Sequence, residues 1–240
     1  MRLVIVTFAL LMASCAGDGP DNSTAQPAAT TVPVLVDRHA AMASAIDVRA
    51  AGCGPRVHFG NGTTIADNLI LTAAHVVAGS EDVEAIDSTG SAVAANVVLF
   101  DPDLDFAILR SETPVGIPMQ LRAEPARQDE EGIIVLTRLV AGVMETEVID
   151  VSVLRQVNIL TTDIYLDQDV ERDGFEVSAS IEPGDSGAMV HLPGGGVGLI
   201  WARSTDNADR AWALNTPEVL LDPLDQDSLR DAVDVGPCTG

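Results

Sequence analysis

The chain has 240 residues, of which 47% are hydrophobic and 20% charged, so it can bury one large core or two small ones and is not disordered throughout. Its 13 basic residues, all arginine, face 36 Asp and Glu, which gives a formal net charge of -23. A field of this sign repels phosphate backbones and anionic lipid headgroups, and an aromatic content of 3% leaves too few rings for base stacking. We therefore expect no nucleic-acid partner and no attachment to a membrane through a basic patch.

The first 15 residues have the pattern of an export signal. A positively charged start is followed by ten residues, 3–12, that are apolar except for Thr7 and too few to cross a bilayer. The sequence MASC at 12–15 resembles the lipobox of bacterial lipoproteins, which implies that Cys15 carries a lipid and becomes the mature N-terminus. The alternative is a secretory signal that is cut after Ala16. The protein is thus predicted to be exported, either to the cell envelope as a lipoprotein or as a secreted protein.

Residues 16–50 separate this signal from the predicted domain at 51–240. Residues 16–33 are small and polar without hydrophobic periodicity, which predicts a flexible tether. The alanine-rich lead-in that follows fits either a short helix or the first ordered segment of the domain.

Two cysteines remain for the folded part, Cys53 and Cys238. In an exported chain an even pair predicts a disulfide, here between the start and the end of the domain, and the alternative is two buried thiols. The sequence has no Cys-x-x-Cys motif and no His/Cys cluster, so we expect neither a metal nor another cofactor.

From Cys53 onward, short apolar runs alternate with turn residues at intervals of about eight to twelve positions. Typical turn sequences are Gly60-Asn61-Gly62 and Asp101-Pro102-Asp103. This rhythm, without long helices between the runs, predicts an all-β sandwich or a pair of barrels. Only residues 73–79 and 228–233 have the pattern of short helices.

Three segments carry residue types suited to nucleophilic catalysis. His75 ends the sequence TAAH after an apolar strand, Asp105 opens the apolar run DFAIL, and Ser186 lies in GDSG before another strand. Their order and context resemble those of the chymotrypsin-like, trypsin-fold serine proteases, and the compact bacterial trypsin-like and HtrA-type members in particular. The resemblance extends from about Cys53 to Leu221. The separations of 30 residues from His75 to Asp105 and 81 from Asp105 to Ser186 suit those compact barrels.

The resemblance implies two six-stranded antiparallel Greek-key β-barrels with the active site at the seam. The N-terminal barrel would occupy about 53–128, the C-terminal barrel about 129–222 and a tail 223–240. We expect a monomer that acts on polypeptides, with no PDZ-like domain after residue 221.

Each proposed role has a chemical reason. A serine hydroxyl is a weak nucleophile at neutral pH, so His75 would accept the proton of Ser186 and later donate it to the leaving amine. Asp105 would orient the imidazole and stabilise its protonated form. By the family's motif, the N–H groups of Gly184 and Ser186 form the oxyanion hole.

The substrate-binding residues implied by the resemblance are Ser180, Trp201 and Ala202. Ser180 takes the position at the base of the S1 pocket, where a neutral side chain favours an uncharged P1 residue. The strand Ile200-Trp201-Ala202 would pair with the substrate backbone, although the trypsin branch has Ser-Trp-Gly there. Ala188-Met189 also replaces the usual Gly-Pro after GDSG. These departures leave a second hypothesis open, a catalytically weak or inactive lipoprotein that binds peptides in a protease-like cleft.

The sequence also bears on activation. Arg56-Val57 lies only 18 residues before His75, too close to be a tryptic activation site of the zymogen type. We therefore expect Asp185 to have a partner other than a new N-terminus.

Overall fold

The computed structural model describes residues 35–216, 220 and 228–239. Within them the chain forms twelve strands and two short helices, α1 (Arg38–Ser44) and α2 (Ala74–Val77). Helix α1 begins after Asp37, whose carboxylate accepts the N–H of Ala40 at 3.0 Å, the usual way to satisfy a free donor of the first turn.

The first six strands close into an antiparallel barrel. Its members are β1 (Ala45–Gly52), β2 (Gly54–Ala66), β3 (Leu69–Thr72), β4 (Asp82–Asp87), β5 (Ala92–Asp101) and β6 (Phe106–Ser111). They follow one another around the barrel in the order β1-β2-β3-β6-β5-β4, and β4 pairs with β1 to close it. Ile46, Val48 and Ala50 lie in the core with the period of two that a strand has.

The last six strands form a second closed barrel. Its members are β7 (Glu131–Val140), β8 (Val143–Thr162), β9 (Asp169–Val177), β10 (Met189–Leu192), β11 (Gly195–Arg203) and β12 (Ala211–Asn215). Their order is β10-β11-β12-β9-β8-β7, and β7 pairs with β10. Phe175, Ile134 and Ile200 are fully buried in its core. The predicted fold, two six-stranded antiparallel barrels, is confirmed.

The seam between the barrels is apolar. Leu69, Leu71 and Phe106 of the first barrel pack with Met189 and Leu199 of the second in one cluster of buried side chains. Burial of this kind contributes roughly 25 cal/mol per Å² of apolar surface, so the two barrels stabilise each other and fix the site between them.

Three local expectations differ from the structure. The first barrel begins at Ala45 rather than near Cys53, because the alanine-rich lead-in supplies both α1 and the inner face of β1. Gly60-Asn61-Gly62 is not a turn, since these residues pair with β1 in the middle of β2. The helix predicted at 228–233 is absent: these residues form a turn, a bend and irregular backbone, and Val233 N–H donates to Val97 O of the first barrel.

The predicted disulfide between Cys53 and Cys238 is present and joins residues 185 positions apart. Its sulfur atoms lie beside Gly79, just after α2, so the C-terminal segment is fixed against the back of that helix. The predicted signal at 1–15, the lipidated Cys15 and the tether at 16–33 lie outside the described residues. Among the described residues, no helix has the length and hydrophobicity that a membrane span needs.

Candidate active site

His75 and Asp105 are brought together by the pairing of β3 with β6. Thr72 at the end of β3 lies opposite Ala107, so the helix start that carries His75 faces the turn that carries Asp105. The imidazole Nδ1 lies 3.0 and 2.9 Å from the two carboxylate oxygens, and the backbone N–H of His75 donates to Oδ1 at 3.0 Å. This geometry orients the ring and leaves Nε2 as the other reactive nitrogen.

The turn before β6 holds Asp105 in place. Asp105 has a φ of +58°, a left-handed conformation that aspartate tolerates better than most residues. One carboxylate oxygen of Asp101 accepts the N–H groups of Asp103 and Leu104 at 3.0 and 2.8 Å, which closes the turn. The carboxylate of Asp105, buried to 3% exposure, is therefore presented from a fixed backbone.

The pKa of His75 is raised above its ordinary value of 6.5. Burial alone would lower this pKa, but the hydrogen bond to Asp105 and the negative charge of Asp105 outweigh burial. The positive charge of Arg172 acts in the opposite direction. The site thus stabilises the imidazolium, the form that a general base reaches after taking a proton.

Arg172 on β9 lies behind Asp105. Its Nη1 is 4.0 Å from Asp105 Oδ2, and its Nε donates to the carbonyl of Asp103 at 2.7 Å. The guanidinium also lies over the ring of Trp201, 5.1 Å from the ring centroid. The second barrel therefore supplies a buried cation beside the carboxylate that contacts His75.

Ser186 lies in a tight loop, residues 183–187, which we call the nucleophile loop. A Cβ at Gly187 would lie 2.0 Å from Asn61 O, 2.7 Å from Thr72 Oγ1 and 3.1 Å from Ala73 N, so the loop touches the backbone that leads into α2. Only glycine allows this approach. Ser186 is thereby placed next to the segment that carries His75, and its hydroxyl makes no hydrogen bond to a described residue.

The backbone amides of the nucleophile loop divide into two groups. The N–H groups of Asp185, Gly187 and Ala188 donate to carbonyls at 3.1, 2.7 and 3.1 Å. Those of Gly184 and Ser186 have no acceptor among the described residues. Gly184 has a φ of +102°, and a Cβ there would meet nothing within 4 Å. The loop therefore carries two unpaired N–H donors, and an oxyanion site needs donors of this kind.

Asp185 is held by an ion pair inside the second barrel. Its side chain is 1% exposed and accepts Arg138 Nη2 at 2.5 Å and Nε at 3.2 Å, while Glu182 N–H donates to the other oxygen at 2.8 Å. Asp185 raises the pKa of Arg138 against the opposing effect of burial. The expectation that Asp185 has a partner other than a new N-terminus is confirmed.

Comparison with known proteins bears on the family of this fold. The family model described as the trypsin-like peptidase domain matches residues 60–197, which is more than half of the chain. The chain belongs to the trypsin-like peptidase family. The resemblance inferred from the three motifs is confirmed.

Curated and solved relatives agree with this assignment. Serine protease Rv3671c of Mycobacterium tuberculosis is 30% identical over 199 residues, which are 80% of this chain and 49% of the relative. The chain thus spans about half the length of the curated relatives it matches. The crystal structure of the Rv3671c protease in its active form gives a TM-score of 0.73 at 26% identity and covers 87% of this chain and 96% of that one. HtrA-type protease AlgW with a tripeptide gives 0.61 at 20% identity over 76% and 64% of the two chains, a likeness of fold.

The three residues expected to bind substrate differ in their exposure to solvent. Ser180 is exposed, and Trp201 and Ala202 are half-buried. A bulge in β11 leaves Trp201 without a pairing partner on β12, while Ala202 pairs with Trp212. Ile200 is buried in the core of the second barrel, and the side chain of that barrel that lies beside Asp105 is Arg172.

Sequence reasoning missed Asn61, Arg138 and Arg172. The sequence Gly60-Asn61-Gly62 predicts a turn, and nothing in the sequence distinguishes the two arginines from the other eleven. Arg138 contacts a residue 47 positions away and Arg172 one 69 positions away, so no local pattern marks either. Within the part of the chain that the structure describes, no three His, Cys, Asp or Glu side chains are grouped to hold a metal ion.

Proposed function

We propose that the protein is a serine endopeptidase that hydrolyses peptide bonds of polypeptide substrates through Ser186, His75 and Asp105. The observation that carries the proposal is the contact of His75 Nδ1 with both oxygens of a buried Asp105, beside the loop that presents Ser186. Membership of the trypsin-like peptidase family supports it.

The reaction would use each group in turn. Nε2 of His75 takes the proton of Ser186 as the hydroxyl oxygen bonds to the scissile carbonyl carbon. The unpaired N–H groups of Gly184 and Ser186 bind the oxygen that becomes negative. His75 then donates its proton to the leaving amine. In the second half of the reaction His75 takes a proton from the water that attacks the acyl carbonyl and returns a proton to the Ser186 oxygen as the carboxylic acid leaves.

We also propose that the enzyme prefers an uncharged residue at P1, the position before the cleaved bond. Ser180 stands six residues before Ser186, the S1 position of the family, and although it is exposed it supplies no charge to pair with a basic P1 residue, so uncharged P1 residues are favoured. Trp201 and Ala202 would contact the substrate backbone from the edge of β11. A profile of P1 preference measured with a peptide library tests this, and cleavage mainly after Arg or Lys would contradict it.

A fluorophosphonate probe tests the enzyme hypothesis directly. The purified chain is expected to be labelled and to cleave casein, and Ser186→Ala should abolish both. Ser204→Ala is the matched control, because Ser204 lies in an exposed loop where its hydroxyl oxygen only accepts backbone N–H groups. A well-folded wild type that is neither labelled nor active would instead support the peptide-binding alternative.

We further propose that the protein is exported as a monomer anchored to the cell envelope by lipid on Cys15. The support is the likeness of residues 12–15 to a lipobox and the tether that follows. Phase partitioning in detergent tests the anchor: the wild type should enter the detergent phase and Cys15→Ser should not. Equal partitioning of the two would favour the secreted form.

A further inference from the structure

Asn61 is a buried polar residue of the first barrel that reaches the nucleophile loop of the second. It lies on β2 and is 1% exposed. Its Nδ2 donates to the carbonyl of Gly184 at 2.9 Å, and its backbone N–H donates to the carbonyl of Ser186 at 2.7 Å. A single residue thus holds the carbonyl groups on both sides of Asp185.

The other contacts of Asn61 fix the side chain itself. Its Oδ1 accepts the N–H of Thr137 on β7 at 2.8 Å, and its backbone carbonyl accepts Thr72 Oγ1 at 2.6 Å. Because one end of the amide faces an N–H and the other a carbonyl, only one orientation of the amide satisfies both. Asn61 is therefore a rigid bridge between the two barrels.

Most backbone N–H and C=O groups of residues 184–186 have a hydrogen-bond partner, and Asn61 supplies two of these partners. The carbonyls of Gly184 and Ser186 accept from Asn61, and that of Asp185 accepts from Ala188 N–H at 3.1 Å. The N–H of Asp185 donates to Glu182. The polar backbone groups left without a described partner are the N–H groups of Gly184 and Ser186. The carbonyl of Gly184 belongs to the Gly184–Asp185 peptide, which lies between the two peptides that carry these N–H groups. The loss of Asn61 would leave the hydrogen bond from Asp185 N–H to Glu182 as the one described contact that holds this middle peptide.

We propose that Asn61 is a positioning residue of the peptidase, which keeps the oxyanion-binding N–H groups in place by holding the carbonyl groups of the nucleophile loop. The inference rests on the proposed function. It assigns no contact between Asn61 and substrate, since Asn61 acts through Gly184 and Ser186.

The variant Asn61→Asp tests the role, because it keeps the size of the side chain and the acceptor for Thr137 but removes the donor to Gly184. We expect kcat to fall by about 10- to 100-fold with KM changed less than about twofold, since a weakened oxyanion site acts on the transition state. Asn158→Asp is the matched control, because the same amide donor is lost from an exposed contact with Asp173. That control should keep wild-type kcat.

A second measurement separates positioning from general loosening. A peptide boronic acid forms a tetrahedral anionic adduct with the nucleophilic serine, so its inhibition constant should weaken by about the same factor as kcat/KM. The affinity for a product peptide should stay within about twofold of the wild type. Asn61→Ser, smaller and uncharged, should repeat both results if the aspartate variant does not fold.

Three results would overturn the proposal. They are a folded variant that keeps kcat, equal weakening of boronate and product binding, and failure of both variants to fold, which would make Asn61 a folding residue. An inactive wild type would be a different outcome, because it refutes the proposed peptidase before any variant is compared.

Discussion

The two halves of the candidate site are built differently. In the first barrel, His75 and Asp105 touch each other directly, through two contacts at the ring and one at the backbone. In the second barrel, Ser186 lies in a loop that is held by residues outside the loop. Asn61 binds carbonyl groups of the loop, and Arg138 binds the carboxylate of Asp185. We therefore expect changes to the first half to act mainly on chemistry, and changes to the supports of the second half to reduce activity through the loss of stability and loop position.

Asp105→Asn should cause the largest loss of catalytic activity. The amide keeps the shape of the carboxylate but favours the wrong tautomer of His75, so we expect kcat to fall by about 10⁴-fold. Stability should fall as well, because the buried Arg172 loses a neighbouring negative charge. Asp103→Asn is the control, because among the described residues its carboxylate accepts a hydrogen bond from the exposed Gln168 amide alone. A loss of less than about tenfold in steady-state assays would show that Asp105 does not orient the base.

Arg138→Gln tests the support of the second half. The change leaves the buried carboxylate of Asp185 without its cation, so we expect the free energy of unfolding to fall by about 2 kcal/mol and kcat by about tenfold. The side chain of Arg138 is 38% exposed, which keeps the expected loss below that of a fully buried pair.

The control for this prediction is Arg155→Gln. Arg155 also pairs with a buried carboxylate, that of Glu176, but Arg210 remains as a second partner and neither contacts the nucleophile loop. Chemical denaturation and kcat measured on both variants give the comparison. If Arg138→Gln kept the wild-type kcat, the ion pair between Arg138 and Asp185 would have no part in positioning the nucleophile loop.

The smallest expected change is a shift in the pH dependence of kcat/KM when Arg172, next to Asp105, is replaced. A general base must be neutral, so kcat/KM should fall as pH drops through the pKa of His75, which lies above 6.5. Arg172→Met removes a cation that lowers this pKa, so the acid limb should move to higher pH. Arg56→Met, exposed on β2, removes the same charge and should leave the limb in place. A downward shift in Arg172→Met would mean that its charge does not act on His75.

Much of the site could be predicted because its parts are local in sequence. TAAH, the aspartate before an apolar strand and GDSG each place one functional residue within a few positions, and the cysteine pair needed only the expectation of export. The supports could not be predicted in this way. Gly60-Asn61-Gly62 has the composition of a turn, but pairing with β1 keeps it extended and turns the side chain of Asn61 toward the loop. Ion pairs across the fold, such as Arg138 with Asp185, depend on barrel closure, which no short pattern encodes.

The start of the first barrel shows the same limit. Strand β1 is rich in alanine, which favours helices, and its extended form is imposed by hydrogen bonds to β2 on one side and β4 on the other. Helix α1 just before it has a similar composition but lies outside the barrel. Tertiary pairing therefore decides between two structures that composition leaves equal.

The bond between Cys53 and Cys238 turns most of the domain into a covalent ring. His75, Asp105 and Ser186 all lie on the ring, as do eleven of the twelve strands, β2 to β12. A single break of the backbone anywhere between the two cysteines opens the ring but releases no fragment, so the three residues stay in one molecule after a first cut. Only a cut before Cys53 or after Cys238 releases a fragment. An N-terminal fragment includes the whole of β1 only if the cut falls between the end of β1 and Cys53.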